Sequence, residues 1–356
     1  MKDFIIVGAG QAGLSMGYYL KELGLDFLIV DANSEVGAPW LKRWDSLRLF
    51  TPTEFNHLPG MEFPCEKGYY PNKYEVADYL KSYVAKFDIP IEFNQKITSV
   101  KKTNDDYIIK SDHKIFKTKN LIIATGPFHT PYTPKCHTKI SKEIIQIHSE
   151  HYKNPDQLQE GDTLVVGAGD SGVQILDDIS KTGCNTFFSG NTNIASIPQE
   201  FLGKTLWWWF SKIGFLTVNK YTWIGKKLSN GVQPVIGTDV KTLFAKKNVT
   251  CVGRTLDANG DDIVFEEGTI NSIKNIIWAT GFKPNFNWIE GIELDDTGYP
   301  VNYRGVSNTK GLYYIGLPWL YTRGSATLGG VKKDAQHLRN YILKTELNPS
   351  LKPALS

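Results

Sequence analysis

Two glycine-rich hexapeptides have the residue types and the spacing to bind phosphate groups. The first glycine motif, Gly8-Ala9-Gly10-Gln11-Ala12-Gly13, follows the apolar run Phe4–Val7 and precedes a helical stretch. In such a strand, turn and helix, the first glycine allows the tight turn and the second allows the backbone to approach a pyrophosphate. The N-terminus of the helix then stabilises the phosphate charge. The motif therefore predicts a dinucleotide site.

An acidic residue accompanies this first motif. Asp31 ends the next apolar run, Phe27–Val30, and is followed by Ala32. A carboxylate at the end of the second strand can accept hydrogen bonds from ribose hydroxyl groups. The alternative is a tight turn with a solvated Asp, but strand, glycine turn, helix and acid together favour the dinucleotide site.

The second glycine motif, Gly167-Ala168-Gly169-Asp170-Ser171-Gly172, repeats this arrangement after the run Thr163–Val166. Its second strand ends in Ser189-Gly190-Asn191 instead of an acid. A carboxylate there would repel a 2′-phosphate and an arginine would attract one, so a neutral end discriminates weakly. The sequence therefore predicts that NADH and NADPH are both accepted.

The elements that must position these motifs form two βαβ units, which predict an α/β fold with two parallel sheets. Between the units, Lys73 to Phe87 has the apolar spacing of an amphipathic helix. Strand-like runs within residues 91–118 indicate a small antiparallel appendage, and Leu121–Gly126 reads as a further strand. Near the C-terminus, Gly311–Gly316 predicts a last strand, and residues from about 328 to 343 predict a final helix.

Composition excludes several classes of protein. The 356 residues are 41% hydrophobic and 22% charged with net charge +3 and no long basic run, so nucleic acid is not an expected partner. The N-terminal apolar stretch is too short for a secretory signal, and the interrupted stretch 206–218 is too short for a membrane span, which predicts a soluble, cytoplasmic protein. No His, Cys and Asp cluster has metal-ligand spacing. Four scattered cysteines without a Cys-x-x-Cys pair suit a reducing compartment.

Over nearly its whole length the chain resembles class B flavin-containing monooxygenases, most closely the compact bacterial CzcO-like branch. Beyond the two glycine motifs, the resemblance rests on four further segments, which are Gly37-Ala38-Pro39-Trp40, the run from Trp44 to Pro52, Ala124-Thr125-Gly126 and Ala279-Thr280-Gly281-Phe282. It implies two Rossmann-like domains in the glutathione-reductase arrangement. The FAD domain would be discontinuous, 1–157 and 276–356, with an NAD(P)H domain, 158–275, that carries an aromatic insertion at 201–235.

The resemblance also implies the activity and the site. Reduced FAD would activate oxygen as a C4a-hydroperoxyflavin, which then oxidises a small molecule, either a sulfide or amine or else a ketone, and relatives commonly form homodimers. The residues implied for FAD are Gly8, Gly10, Ala12, Gly13, Asp31, Ala32, Gly37, Trp40, Trp44, Ile97, Ala124, Thr125, Gly126, Gly316 and Leu317. Those implied for NAD(P)H are Gly167, Gly169, Asp170, Ser171, Gly172, Ser189, Gly190, Asn191, Thr280 and Gly281.

The chain departs from the family pattern at the reactive site. Of the linker signature F-x-G-x-x-x-H-x-x-x-Y, only His148 and Tyr152 are kept. Phe50 stands where better-known relatives have an Asn beside the flavin, and a phenyl ring cannot donate a hydrogen bond. We expect Phe50, His148 and Tyr152 to line or support the reactive site. The competing interpretations are a packed aromatic for Phe50 and a solvated loop histidine for His148.

Two questions stay open from the sequence. The aromatic run Trp207-Trp208-Trp209-Phe210 could cover an apolar substrate, form a dimer face or lie on a membrane, although internal packing is the commonest fate of such residues. The alternative functions are a flavoprotein reductase of the thioredoxin or bacillithiol-disulfide reductase type and a non-enzymatic flavin redox sensor associated with cation efflux. The absence of a Cys-x-x-Cys pair disfavours the thioredoxin type, and Gln11-Ala12 stands where the bacillithiol type carries a lone cysteine in the first glycine motif.

Overall fold

The computed structural model describes residues 1–231 and 233–347. Its helices are α1 (Gln11–Glu22), α2 (Ala38–Leu41), α3 (Lys73–Phe87), α4 (Asp170–Ser180), α5 (Leu206–Lys212), α6 (Trp223–Ser229), α7 (Val240–Phe244) and α8 (Val331–Ile342). Short 3-10 turns occupy Thr53–Phe55, Lys135–Lys139, Pro155–Gln157, Phe215–Thr217 and Arg323–Ala326, and Leu343–Leu347 is a π-helical turn.

The strands in chain order are β1 (Lys2–Val7), β2 (Phe27–Val30), β3 (Ile91–Glu92), β4 (Ile97–Lys102), β5 (Tyr107–Ser111), β6 (Ile115–Ile123), β7 (Thr130–Pro131), β8 (Ile145–His148), β9 (Asp162–Val166), β10 (Thr186–Ser189), β11 (Ser196–Ile197), β12 (Glu200–Phe201), β13 (Lys204–Thr205), β14 (Val235–Ile236), β15 (Val249–Cys251), β16 (Thr255–Asn259), β17 (Asp262–Phe265), β18 (Gly268–Ile270), β19 (Ile273–Trp278), β20 (Phe282–Lys283), β21 (Asn302–Tyr303), β22 (Val306–Ser307) and β23 (Leu312–Tyr314).

The first sheet carries the first glycine motif. Its order is β21-β22-β23-β6-β1-β2-β3, and β23, β6, β1, β2 and β3 run parallel. The predicted appendage is part of the same sheet, because the N-terminal half of β6 pairs antiparallel with β5 and its C-terminal half pairs with β1. The predicted parallel sheet is thus present as β23, β6, β1, β2 and β3, and the predicted antiparallel appendage is joined to it through β6. Strand β6 therefore belongs to both the parallel part and the antiparallel part of the sheet.

The second sheet carries the second glycine motif and is parallel throughout, in the order β15-β10-β9-β19-β8. Apolar residues fill both of its faces. Val165, Ile175 and Leu176 lie in the cluster on one side, and Leu164 and Ile276 lie in the cluster on the other. Burial on both faces is what parallel sheets require. The short antiparallel sheet β16-β17-β18 was not predicted from the sequence.

The predicted domain boundaries differ from the division between the two sheets. The predicted ranges place β8 and the second half of β19 in the FAD domain, whereas both strands pair within the second sheet, with Trp278 opposite His148 and Val166. Because parallel pairing is continuous along β19, a boundary inside it would cut one hydrogen-bonded ladder. We propose that the boundaries lie near residue 140 and just after Trp278.

Candidate cofactor and active site

The first glycine motif forms a turn that only glycine can build and leaves room for a ligand. Gly8 has φ +109°, and a Cβ there would lie 2.6 Å from the carbonyl oxygen of Ala124. A Cβ at Gly13 would lie 1.9 Å from the carbonyl oxygen of Gly8. A Cβ at Gly10 would meet no atom within 4 Å. Gly10 caps α1 without a side-chain hydrogen bond, so the N–H groups of the first turn face open space.

The carboxylate of Asp31 lies on this turn. Its Oδ2 accepts a hydrogen bond from the N–H of Ala9 at 2.6 Å, and its Oδ1 accepts one from the N–H of Asn33 at 2.7 Å. A cavity of about 410 Å³ adjoins it and is lined by Ala32, Asn33, Ser34, Glu35, Ala38, Leu41, Lys42 and Asn94. The sequence predicted Ala32 here but missed Asn33 and Lys42, whose side chains are joined by a 2.7 Å hydrogen bond. This volume suits the nucleoside end of a dinucleotide.

The second glycine motif has the same geometry. Gly167 has φ +126°, and a Cβ there would lie 2.2 Å from the carbonyl oxygen of Ala279. Gly172 packs against Gly167, and a Cβ at Gly169 would meet no atom within 4 Å. The side chain of Asp170 is exposed at the start of α4. The chain therefore contains two openings of the size of a phosphate group, and both have the same backbone geometry.

The end of β10 is held by the segment that follows β15. Ser189 Oγ lies 2.7 Å from Thr255 Oγ1, and the N–H of Gly190 donates to the carbonyl oxygen of Gly253 at 3.0 Å. The exposed Arg254 lies between these two contacts in the chain. Sequence reasoning missed this arginine, because it belongs to a different strand connection from Ser189.

The two segments that follow β6 and β19 contact each other. Ala124-Thr125-Gly126 and Ala279-Thr280-Gly281 each pack on the first glycine of a motif and then continue into β7 and β20, which pair antiparallel. The rings of Phe128 and Phe282 lie 5.1 Å apart, and the N–H of Tyr132 donates to the carbonyl oxygen of Gly281 at 3.0 Å. This contact joins the parts of the chain that carry the two openings.

His148 is fixed by its neighbours. Its Nδ1 accepts a hydrogen bond from the N–H of Glu150 at 3.1 Å, so Nε2 carries the proton and donates to the carbonyl oxygen of Gly281 at 3.1 Å. Burial lowers the pKa of the imidazole, and the ring packs edge-on against Phe282. With both nitrogens engaged, His148 positions the Gly281 turn and has no nitrogen free to act as a base.

Tyr152 is also engaged. It is fully buried, and its hydroxyl donates to Asp178 Oδ2 at 3.1 Å. Burial and the neighbouring Asp178 raise the pKa of the phenol. Because Asp178 belongs to α4, Tyr152 ties the segment after β8 to the helix that starts at the second glycine motif.

Phe50 lies under the aromatic insertion. Trp207 Nε1 donates to the carbonyl oxygen of Phe50 at 2.9 Å, and the two rings stack with centroids 5.9 Å apart. Trp207 is buried in a cluster with Leu206 and Ile236, against which Phe50 and Phe55 pack. The sequence predicted Phe50 but not this partner, 157 residues further along the chain.

The remaining residues predicted for FAD lie around the first motif and the contact between the sheets. Gly37 begins α2 against α3, and Trp40 packs against apolar clusters of both sheets. Trp44 is buried against the second sheet with no hydrogen-bond partner for Nε1 in the described residues. Ile97 lies on β4, and Leu317 is buried beside β1. A Cβ at Gly316 would lie 2.7 Å from the Cβ of Ala12 in α1.

A pair of basic side chains that the sequence did not suggest lies at the start of α8. Lys332 Nζ is 2.5 Å from His57 Nε2, and burial lowers the pKa of both groups. The preceding turn contacts the first glycine motif, because Gln11 Nε2 donates to the carbonyl oxygen of Ala326 at 3.2 Å. A separation of 275 residues hid this pair from sequence reasoning.

The two sheets with their paired glycine turns define an FAD- and NAD(P)H-binding oxidoreductase. Residues 5–198 match the family described as pyridine nucleotide-disulphide oxidoreductase. The chain is 42% identical to the oxidoreductase CzcO of Bacillus subtilis, covering 95% of this chain and 98% of that one, and 41% identical to a CzcO-like oxidoreductase of Geobacillus kaustophilus, covering 96% and 98%. A flavin-containing monooxygenase from Stenotrophomonas maltophilia superposes with TM-score 0.80 at 25% identity, covering 97% of this chain and 98% of that structure.

The chain therefore belongs to this family and, within it, to the CzcO-like class B flavin-containing monooxygenases. This confirms the resemblance, the two-domain Rossmann-like fold, the enzyme class and the cofactors FAD and NAD(P)H. In the described part of the chain, no helix has the length and apolarity to cross a bilayer. The same residues contain no group of His, Cys, Asp and Glu side chains arranged for a metal ion.

Proposed function

We propose that this monooxygenase uses NAD(P)H and oxygen to transfer one oxygen atom to a soft nucleophile, a sulfide sulfur or an amine nitrogen, with ketones as a secondary class. The observation that carries the proposal is the pair of matching turns, each with one glycine open to a ligand, together with the contact between the segments that follow β6 and β19. Such a chain can hold a flavin against a nicotinamide.

The first site holds FAD through backbone groups. The N–H groups that follow Gly10 would hold the pyrophosphate, and the Asp31 carboxylate, which lies beside Ala9, would accept hydrogen bonds from the ribose hydroxyl groups. Gly316 and Leu317 approach α1 from the last strand of the sheet. FAD, when bound, supplies the hydride acceptor and the group that activates oxygen.

The second site holds NAD(P)H in the same way. Gly169 is the open position and the N-cap of α4, and Asp170 and Ser171 form the start of that helix. Ser189, Gly190 and Asn191 lie where the ribose 2′ position is read. His148 sets the position of the Gly281 turn through its Nε2 hydrogen bond. His148 is therefore a positioning residue.

A soft nucleophile suits the side chains that are present. His148 and Tyr152 use their polar atoms in contacts with the protein, and Phe50 and Trp207 offer apolar surfaces. Neither ring system can deprotonate a substrate. A substrate that brings its own nucleophilic lone pair, as a sulfide or an amine does, needs no base from these side chains.

The cysteines disfavour the reductase alternative. All four cysteines, Cys65, Cys136, Cys184 and Cys251, are free. Burial raises the pKa of the Cys65, Cys136 and Cys251 thiols, which lowers the fraction of reactive thiolate. The sequence has no Cys-x-x-Cys pair for a reductase of the thioredoxin type, and its first glycine motif has Gln11-Ala12 where the bacillithiol type carries a lone cysteine.

The test measures substrate-dependent oxygen transfer. The purified protein is loaded with FAD, and NAD(P)H oxidation, oxygen uptake, peroxide release and product are followed with a methyl aryl sulfide, a tertiary amine and a cyclic ketone. We expect sulfoxide or N-oxide to form in proportion to NAD(P)H consumed. Reduction of a disulfide substrate in the absence of oxygen, with no oxygenated product, would establish the reductase instead.

A further inference from the structure

Residues 201–238, which we call the lysine-aromatic segment, differ from the rest of the chain in charge. They contain five lysines and no Asp, Glu, Arg or His. The net charge of the whole chain is only +3, so the remainder is net acidic. A positive charge concentrated in one segment attracts an anionic partner.

The same segment exposes the largest apolar side chains. Trp223 is 77% exposed and Leu202 is 75% exposed, the two highest values among large hydrophobic residues in the described part of the chain. Ile213 follows closely at 70%. Single exposed hydrophobic residues need no explanation, but a group of them within one basic segment marks an interaction surface.

The exposed residues around α5 form one surface. The β12–β13 hairpin carries Leu202 at its tip and leads directly into α5. Trp209 Nε1 donates to the carbonyl oxygen of Phe201 at 2.9 Å, which fixes the hairpin on the helix. The Nζ atoms of Lys204 and Lys212 lie 5.9 Å and 5.6 Å from the ring centroid of Trp208. Apolar tip, indole rings and two cations are thus adjacent.

The inner side of α5 is already used. Leu206 and Trp207 are buried, and Trp207 packs on Phe50. The helix is therefore anchored in the protein by one side, while the hairpin and the lysines extend from the other. Leu202, Ile213 and Trp223 belong to none of the apolar clusters of the described residues, so their apolar surface is free to contact a partner.

We propose that the lysine-aromatic segment docks the protein on an anionic lipid bilayer. Leu202, Ile213 and Trp223 enter the boundary between headgroups and acyl chains, and the lysines contact lipid phosphates while their aliphatic stems cover apolar surface. Lipid is favoured over a second copy of the chain, because two copies of a segment with five lysines and no acid would repel each other across a two-fold axis. The protein then lies on the surface of the bilayer, and α5, which packs on Phe50, lies close to the lipid.

Vesicle flotation tests this proposal with the FAD-loaded full chain. Vesicles of phosphatidylcholine alone are compared with an equal mixture of phosphatidylcholine and phosphatidylglycerol. We expect binding to the anionic vesicles, and release at about 1 M salt, where the Debye length is only about 3 Å. Lys204→Gln with Lys212→Gln is expected to weaken the partition about thirtyfold, since each basic residue near an anionic surface contributes about one factor of five.

Matched controls separate the segment from general stickiness. Leu202→Ser with Trp223→Ser is expected to weaken binding at least tenfold, whereas Ile115→Ser with Leu256→Ser, which changes exposed apolar residues elsewhere, leaves it unchanged. Lys119→Gln with Lys135→Gln removes two exposed lysines outside the segment and also leaves binding unchanged. FAD content and melting temperature confirm that each variant is folded.

Three results would overturn the proposal. One is failure to float with anionic vesicles. Another is a loss of selectivity, which means that neutral vesicles bind as much protein as anionic vesicles do, or that the segment variants bind as well as the parent protein. The third is a parent protein that is a dimer by light scattering and becomes a monomer on Leu202→Ser with Trp223→Ser, which would make the surface an interface between copies. None of these measurements depends on substrate oxidation.

Discussion

Replacing Gly10 by Ala should remove FAD without unfolding the protein. Gly10 has φ −77° and ψ −176°, a conformation open to any residue, and the added Cβ meets no protein atom within 4 Å. Alanine caps a helix less well than glycine, which costs about 0.5 to 1 kcal/mol of stability. The methyl group instead occupies the space through which a pyrophosphate reaches the N–H groups of α1.

The magnitude follows from the contacts that are lost. A hydrogen bond from a backbone N–H to a charged phosphate contributes about 1.5 to 3 kcal/mol. Losing one such bond weakens FAD binding roughly tenfold to a hundredfold. FAD affinity is measured by titrating the apoprotein and following flavin fluorescence, with the melting temperature of the apoprotein as the check on folding.

Gly169→Ala is the matched variant in the second site. It has the same open surroundings and a similar backbone conformation, φ −86° and ψ 178°. We expect it to keep FAD and to raise KM for NAD(P)H roughly tenfold or more. Gly8→Ala, in contrast, combines φ +109° with a 2.6 Å approach to Ala124 and should abolish folding. Native FAD affinity in Gly10→Ala, or an equal loss of FAD in Gly169→Ala, would refute the assignment of the two turns.

Three further predictions concern other groups. His148→Ala should raise KM for NAD(P)H about tenfold and leave FAD affinity unchanged, because it frees the Gly281 carbonyl; a large loss of FAD would contradict this. The kcat/KM values for NADH and NADPH should differ by less than about a thousandfold, some 4 kcal/mol, since Ser189-Gly190-Asn191 is neutral and solvent screens the attraction of the exposed Arg254 for a 2′-phosphate. Burial raises the pKa of the Asp334 carboxyl in the folded protein above its value in the unfolded chain. Ionisation of Asp334 therefore destabilises the fold as the pH rises above the pKa of the unfolded chain. The melting temperature of Asp334→Asn should increase relative to that of the parent protein between pH 4 and pH 8. A constant difference across that range would contradict this.

The local parts of the site could be predicted from the sequence. The two glycine motifs, the helix from Lys73 to Phe87 and the acid at position 31 depend on neighbours within about 25 residues, and each is found where the pattern placed it. Glycine patterns work well because the alternative residues are sterically impossible at Gly8 and Gly167.

The parts that were missed depend on pairing between distant segments. The run Ile145–His148 is short and alternates with polar residues, so nothing local shows that it completes the second sheet beside β19. The contacts of Trp207 with Phe50 and of Lys332 with His57 join residues far apart in the chain. The engagement of both nitrogens of His148 is likewise a property of the folded chain. The sequence predicted only that His148 lines or supports the reactive site, and the surrounding backbone makes it a positioning residue.

Some polar groups near the two glycine motifs are free and others are bonded to protein atoms, and this difference indicates which parts of the protein determine substrate specificity. Backbone N–H groups at two open glycines receive the cofactors, while the imidazole and the phenol at the reactive site are bonded to protein atoms. Oxygen transfer then depends on the flavin and on the exclusion of water, and side chains act mainly by shaping the space beside it. The Phe50 and Trp207 rings stack on each other from two different segments, and we propose that they border that space. Substitutions there should alter which nucleophiles are oxidised and how much peroxide leaks, and should leave the rate of flavin reduction by NAD(P)H nearly unchanged.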